Sequence, residues 1–198
     1  MGTDRSADWF GKASPRTWAR LAGTFYLLNI VSSLVAFSGK GSHWIGVTCG
    51  LAATASYVAV TVLLYRLFTP VNRTVSALAA LFSLAGCADG YVASPLPFKV
   101  HPLVFFGCYC LLIGYLILRS TFMPRILGAL MTIAGLGWLT FVYAPLAHSL
   151  APYHYIMGGI GEGVLTLWLL VMGVDSARWK QQGSSEKQEP DDVLIPSL

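Results

Sequence analysis

The residues of this chain that could do chemistry are the ionisable side chains inside its apolar stretches, and Glu162 stands first among them. It lies in the apolar run 153–174, about ten residues from one end. At roughly 1.5 Å per residue this depth is about 15 Å, near the midplane of a bilayer. An ionised carboxylate there costs on the order of 2.5–3.5 kcal/mol, so the expected form is the neutral acid, able to donate a hydrogen bond. Asn29 in the first apolar run and Tyr57 in the second lie at comparable depth and are its candidate partners. Asp89 is shallower, in the outer part of the third run. As a binding site, Glu162, Asn29, Tyr57 and Asp89 would line an intramembrane pocket. As a catalytic site, Glu162 or Asp89 would be the general acid, and a carboxylate pair would have to form across helices because neither has a second carboxylate within helical reach. As a structural device, Glu162 would stay protonated, pair with Asn29 or a tyrosine, and lock the register of the bundle.

Other reactive types offer less. His43, His101, His148 and His154 all fall at the outer ends of the runs or in the outer loops, where with Asp89 they could ring a mouth. Their spacing matches no metal-ligand pattern, with Pro152 between His148 and His154, and no metal site is expected. Cys49, Cys87, Cys108 and Cys110 all lie inside apolar runs and give no exposed disulfide framework. Cys108 and Cys110 point to different helix faces and read as small packing residues. The run Gly158-Gly159-Ile160-Gly161-Glu162-Gly163 could be mistaken for a phosphate loop, but it follows no strand and sits within an apolar helix.

The elements that must position these residues are six apolar runs, at about 18–38, 44–67, 74–94, 101–118, 124–145 and 153–174. Each approaches the roughly 20 residues a helix needs to span a bilayer. Only 11% of the 198 residues are charged and 55% are hydrophobic, whereas soluble domains carry roughly 25% charged residues. The expected fold class is an all-α polytopic membrane helical bundle with six transmembrane helices. Of the 13 Lys and Arg residues, Arg5, Lys12, Arg16, Arg20, Arg66, Arg73, Arg119, Arg125, Arg178, Lys180 and Lys187 fall on one side of this pattern, leaving Lys40 and Lys99 on the other. The positive-inside rule then places both termini in the cytoplasm. Basic residues at helix ends can contact anionic lipid headgroups; they form no stripe of the kind nucleic-acid binding requires. The first run is full length and lacks a small-residue cleavage site, so it reads as a retained helix. The domain reading is a cytoplasmic segment 1–17, a transmembrane domain 18–175 and a disordered cytoplasmic tail 176–198.

Short connections on the basic side make sequential helices antiparallel neighbours. The two hairpins there look alike: Arg66 through Pro70 leading to Ala77-Leu78, and Arg119 through Pro124 leading to Ala129-Leu130. Shared turn grammar explains this as well as an old duplication does. Gly46 with Gly50, Gly86 with Gly90, and Gly159 with Gly163 have the i, i+4 spacing that lets helices approach closely in lipid.

Several stretches carry a family resemblance. Arg20-Leu21-Ala22-Gly23 with Tyr26-Leu27 opens the first run, and Leu64-Tyr65-Arg66-Leu67 continues through Val71-Asn72-Arg73-Thr74. Gly114-Tyr115-Leu116 leads through Arg119-Ser120 to Pro124-Arg125-Ile126-Leu127-Gly128, and Gly161-Glu162 is followed by Leu167-Trp168-Leu169-Leu170 and Gly173. Over roughly residues 16–175 the chain resembles the DUF4386 family of small bacterial multi-spanning membrane proteins. The resemblance implies six helices in a bacterial cytoplasmic (inner) membrane and puts Glu162 and Arg125 inside recurring family motifs; it implies no activity.

The expected function is binding of a small apolar or lipid-like molecule in a pocket reaching Glu162, without a cofactor and with membrane lipids as surroundings. The alternatives are an intramembrane enzyme, such as an isomerase or terpene-type cyclase using Glu162 or Asp89, and a non-catalytic assembly subunit, including a homo-oligomer, joined through glycine-lined faces.

Overall fold

The computed structural model describes residues 14–38, 42–89 and 101–192, except the side chains of residue 89 and of 186–192. The helices run in the order α1 Pro15–Phe37, α2 His43–Phe68, α3 Arg73–Asp89, α4 Pro102–Arg119, α5 Arg125–Leu139, α6 Ala144–Ser149, α7 Tyr153–Val171 and α8 Ser176–Asp192, with a 3-10 turn at Thr140–Val142 after α5. No strand occurs among the described residues. The fold is an all-α polytopic bundle. Five stretches are long and apolar enough to cross a bilayer: α1, α2, α4, Arg125–Val142 and α7. The apolar helix α3 is shorter, at 17 residues; its run was read to residue 94, and residues 90–94 lie outside the described residues.

Local chemistry starts these helices where the sequence allows. Ser14 Oγ accepts from the Thr17 amide at 3.2 Å, with Pro15 opening α1. Asn72 Oδ1 accepts from the Val75 amide at 2.9 Å before α3, and His101 Nδ1 accepts from Leu103 at 3.3 Å before Pro102 and α4. Each satisfies one amide that the helix itself leaves unpaired, a contribution of about 1 kcal/mol. At the other end of α7, Gly173 adopts φ +68°, a left-handed conformation that stops the helix and that side-chain-bearing residues resist.

The helices form a closed ring. α1 packs on α2, α2 on α3, α3 on α4, α4 on α5, α5 on α7, and α7 returns to α1. Tyr26, Leu64, Ile113, Met131 and Leu165 fill the interior. Outward, Leu34, Leu81, Ile126, Leu167 and Val171 are 59–66% exposed. Such a coat on every side far exceeds the apolar patches that proteins expose to water. It is a lipid-facing surface, and the chain is a membrane protein.

Glycines bring three of the helices together, at positions other than the i, i+4 pairs singled out above. Gly114 and Gly128 face each other across α4 and α5: a Cβ on Gly114 would lie 2.9 Å from the Gly128 carbonyl, and one on Gly128 would lie 2.8 Å from the Gly114 carbonyl. Seven residues away on each helix, a Cβ on Gly135 would meet the Gly107 carbonyl at 2.9 Å. This heptad spacing keeps a small-residue seam facing one antiparallel partner. Gly161 seats α7 on α5, with the Leu130 carbonyl 2.7 Å from its would-be Cβ. In contrast, Gly46, Gly159 and Gly163 have nothing within 4 Å. Gly86 meets the ring of Phe106, and Gly90 lies outside the described residues. The expectation of tight helix contacts at Gly46 and at the Gly159–Gly163 pair is therefore corrected.

A second correction concerns the tail. Residues 176–192, read as disordered, form α8. Asp175 caps it by accepting from the Ala177 and Arg178 amides at 3.0 and 3.2 Å. Trp179 packs edge-on against Trp18 and donates to the Leu67 carbonyl at 2.7 Å. Gln182 binds Thr121 and the Arg119 carbonyl. A polar composition signals disorder only where no anchor residue buries, and Trp179 is that anchor.

Candidate functional site

Glu162 sits halfway along α7, on the face turned into the ring, and is half-buried. Trp138 of α5 donates its indole N–H to Glu162 Oε1 at 2.8 Å, and the Cys110 thiol of α4 points to the same oxygen at 3.7 Å. The carboxyl thus ties α4, α5 and α7 together. Gly158 makes this possible, because a Cβ there would fall inside the Trp138 ring system. The second oxygen, Oε2, has no protein donor among the described residues.

Three tyrosines complete the centre. Tyr26 of α1 lies edge-on to Tyr57 of α2 with ring centroids 5.7 Å apart, and Tyr57 lies edge-on to Tyr109 of α4 at 5.8 Å and to Phe106 at 5.0 Å. The Tyr26 hydroxyl sits beside the Glu162 carboxyl, yet no hydrogen bond of good geometry joins them. The hydroxyls of Tyr26 and Tyr109 are both fully buried without a partner. Leaving such a group unsatisfied costs about 1–3 kcal/mol each, so two in one core form a concentration of unused hydrogen-bonding capacity.

The structure separates the residues proposed from sequence. Tyr57 is brought to the centre by its ring. Asn29 is turned elsewhere, where its Nδ2 donates to the Ala53 carbonyl at 3.0 Å and joins α1 to α2. Asp89 closes α3, and its side chain lies outside the described residues. Of the histidines, His43 and His148 are exposed, while His101 and His154 both pack on the ring of Phe141, with centroids 4.7 and 4.8 Å away. No group of three or more His, Cys, Asp or Glu side chains assembles among the described residues. Sequence reasoning missed Trp138 and took Cys110 for packing alone. A tryptophan inside an apolar run, away from the belt where indoles usually sit, was the available signal.

Lipid-exposed helices closed around one carboxyl and its ring of tyrosines define a multi-helix membrane protein with a polar centre. The chain belongs to the DUF4386 family: that domain of unknown function matches residues 98–173, the part that carries Tyr109, Cys110, Trp138 and Glu162. A relative from Archaeoglobus fulgidus, described as an uncharacterized protein, is 30% identical over 130 residues, covering 59% of this chain and 76% of the relative. No solved structure matches the chain.

Proposed function

We propose that this protein binds a small apolar or lipid-like molecule carrying a hydrogen-bonding oxygen at the centre of its bundle, against Glu162. The observation that carries this reading is a carboxyl whose Oε2 has no hydrogen-bond donor of good geometry among the described residues, beside the orphaned hydroxyl of Tyr26 and in the same core as that of Tyr109. Both protein donors approach Oε1, which makes Oε1 the acceptor of the neutral acid. The acid proton then sits on Oε2, free to be donated to a carbonyl, ether or hydroxyl oxygen of the ligand. Aromatic and aliphatic walls with few polar groups suit such a ligand. An intramembrane enzyme would use the same proton as a general acid.

The setting is a multi-pass protein of the cytoplasmic membrane, with the basic end inward. Arg16 and Arg20 lie at the start of α1, Arg66 in the last turn of α2, Arg73 and Arg125 at the starts of α3 and α5, and Arg119 at the end of α4, which supports this orientation through the positive-inside rule.

Mass spectrometry of small molecules that co-purify with the full chain tests the reading. A discrete compound should accompany the wild type, vanish from Glu162→Gln, and be depleted in the Tyr26→Phe/Tyr109→Phe double variant, with all three proteins folded. The same background lipids in all three would refute binding and leave Glu162 as a tie between helices.

A further inference from the structure

A second polar site, an open pocket, lies at the basic end of the bundle, far along the helices from Glu162. Val71 and Asn72 of the α2–α3 turn, Tyr115 and Arg119 of the last turns of α4, and Gln182 of α8 line an open pocket of about 240 Å³. None of the five is acidic, and the one ion pair among the described residues, Arg178 with Asp175, lies outside the lining. Among the described residues, Arg119 has no carboxylate in ion-pair contact.

The side-chain acceptors of this lining are already engaged. Asn72 Oδ1 caps α3 by accepting from Val75 at 2.9 Å. Gln182 Oε1 takes two donors from Thr121, at 3.0 and 3.1 Å, while its Nε2 donates to the Arg119 carbonyl at 3.3 Å. Tyr115 accepts from Arg119 Nε at 3.3 Å, with the guanidinium carbon 5.8 Å from the ring centroid. What remains unengaged is a set of donors: the two terminal guanidinium nitrogens of Arg119, the Asn72 amide nitrogen and the Tyr115 hydroxyl hydrogen. A side-chain surface of donors around a guanidinium fork selects an anion, and among anions a tetrahedral oxyanion that can take two parallel bonds from Arg.

We propose that this pocket binds a phosphate group, with Arg119 as its bidentate donor and Asn72 and Tyr115 completing the contact. The group can arrive as the phosphodiester headgroup of an anionic lipid, since the site lies among the basic helix ends, or as free phosphate. Because Gln182 belongs to α8 and is bonded to Thr121 and Arg119, occupancy would also fasten α8 to the bundle.

Thermal unfolding of the full chain in an uncharged detergent tests this, with dioctanoylphosphatidylglycerol, dioctanoylphosphatidylcholine and inorganic phosphate as probes. The phosphatidylglycerol is expected to raise the wild-type Tm well beyond the phosphatidylcholine. That difference should fall severalfold in Arg119→Gln and persist in Arg125→Gln, a basic-end arginine outside the lining. Stabilisation by inorganic phosphate as well would assign a free-phosphate source; stabilisation by the lipid alone would assign a headgroup. Should Arg119→Gln fail to fold, Arg119→Lys keeps the charge and loses the fork, and its half-maximal probe concentration should rise several-fold. Equal responses in wild type and the Arg119 variant, or no anion-specific response in the wild type, would overturn the proposal.

Discussion

The helices α4, α5 and α7 meet backbone to backbone, as α1 meets α7 at Gly23, whereas α1, α2 and α3 meet one another through side chains. In the first group, Gly114, Gly128, Gly135 and Gly161 each place a neighbouring carbonyl within 3 Å of where a Cβ would stand. In the second, Asn29 reaches across to the Ala53 carbonyl, the Thr61 and Ser83 hydroxyls pair, and Ser76 donates to the Tyr65 carbonyl at 2.9 Å. The difference matters for the polar centre. Main-chain contact cannot be relieved by a rotamer change, so Cys110, Trp138 and Glu162 are held by the least adjustable part of the molecule. Tyr57 comes from the part that can repack, while Tyr26 stands one turn from Gly23, whose would-be Cβ lies 2.7 Å from the Leu170 amide nitrogen. The wall that carries Cys110, Trp138 and Glu162 is fixed, and the wall that carries Tyr57 can adapt.

The sharpest way to break this contrast is to add bulk on α7. Gly161→Leu forces a side chain against the Leu130 carbonyl and should destabilise the bundle by about 1–3 kcal/mol or more, read as a large fall in Tm. Gly159→Leu, two positions earlier and facing open space, should leave Tm unchanged. Equal losses would show that the backbone seam does not govern stability. A smaller effect is expected when the fixed wall loses its hydrogen bond. Trp138→Phe should cost roughly 0.5–1.5 kcal/mol and should also reduce whatever compound Glu162 retains, measured by co-purification; full retention would show that Oε1 needs no indole donor. The smallest effect belongs to the adaptable side. Asn29→Ala removes one interhelical bond of a kind worth about 0.6 kcal/mol in a membrane, and its Tm should drop less than that of Trp138→Phe. A larger drop would mean that α1 and α2 are held as firmly as their neighbours.

The architecture was legible because crossing a bilayer imposes long apolar runs, and the helices follow those runs closely apart from their ends. The run 124–145 hides a change of geometry: α5 stops at Leu139 and a 3-10 turn follows before α6. Apolarity does not report that break. Glu162 was legible because a carboxyl in such a run is costly. Its partners were not, since Trp138 and Cys110 stand 24 and 52 residues away and only the rotation of α4 and α5 about their axes points them inward. That rotation is set by Gly107, Gly114, Gly128 and Gly135, whose seven-residue spacing was present in the sequence but outweighed by the more familiar four-residue pairs. Asn29 was assigned to the wrong neighbour for a related reason: depth along a helix is readable from sequence, whereas azimuth requires knowing which helices touch. The helix α8 was hidden by its polar composition, with Trp179 as the one residue that contradicts disorder.

The ring closes between α7 and α1, and this has a consequence for how the protein is made. Tyr26 leaves the ribosome before Glu162, which stands 136 residues later in the numbering. At about 5–20 residues per second, the first helix waits roughly 7–27 s in the membrane before its closing partner arrives. During that interval a sealed polar centre cannot exist, so the growing bundle is an open horseshoe that surrounding lipids or an insertion chaperone can enter. A molecule bound at the centre, as proposed above, could therefore enter while the protein is being made, without any later opening of the finished ring.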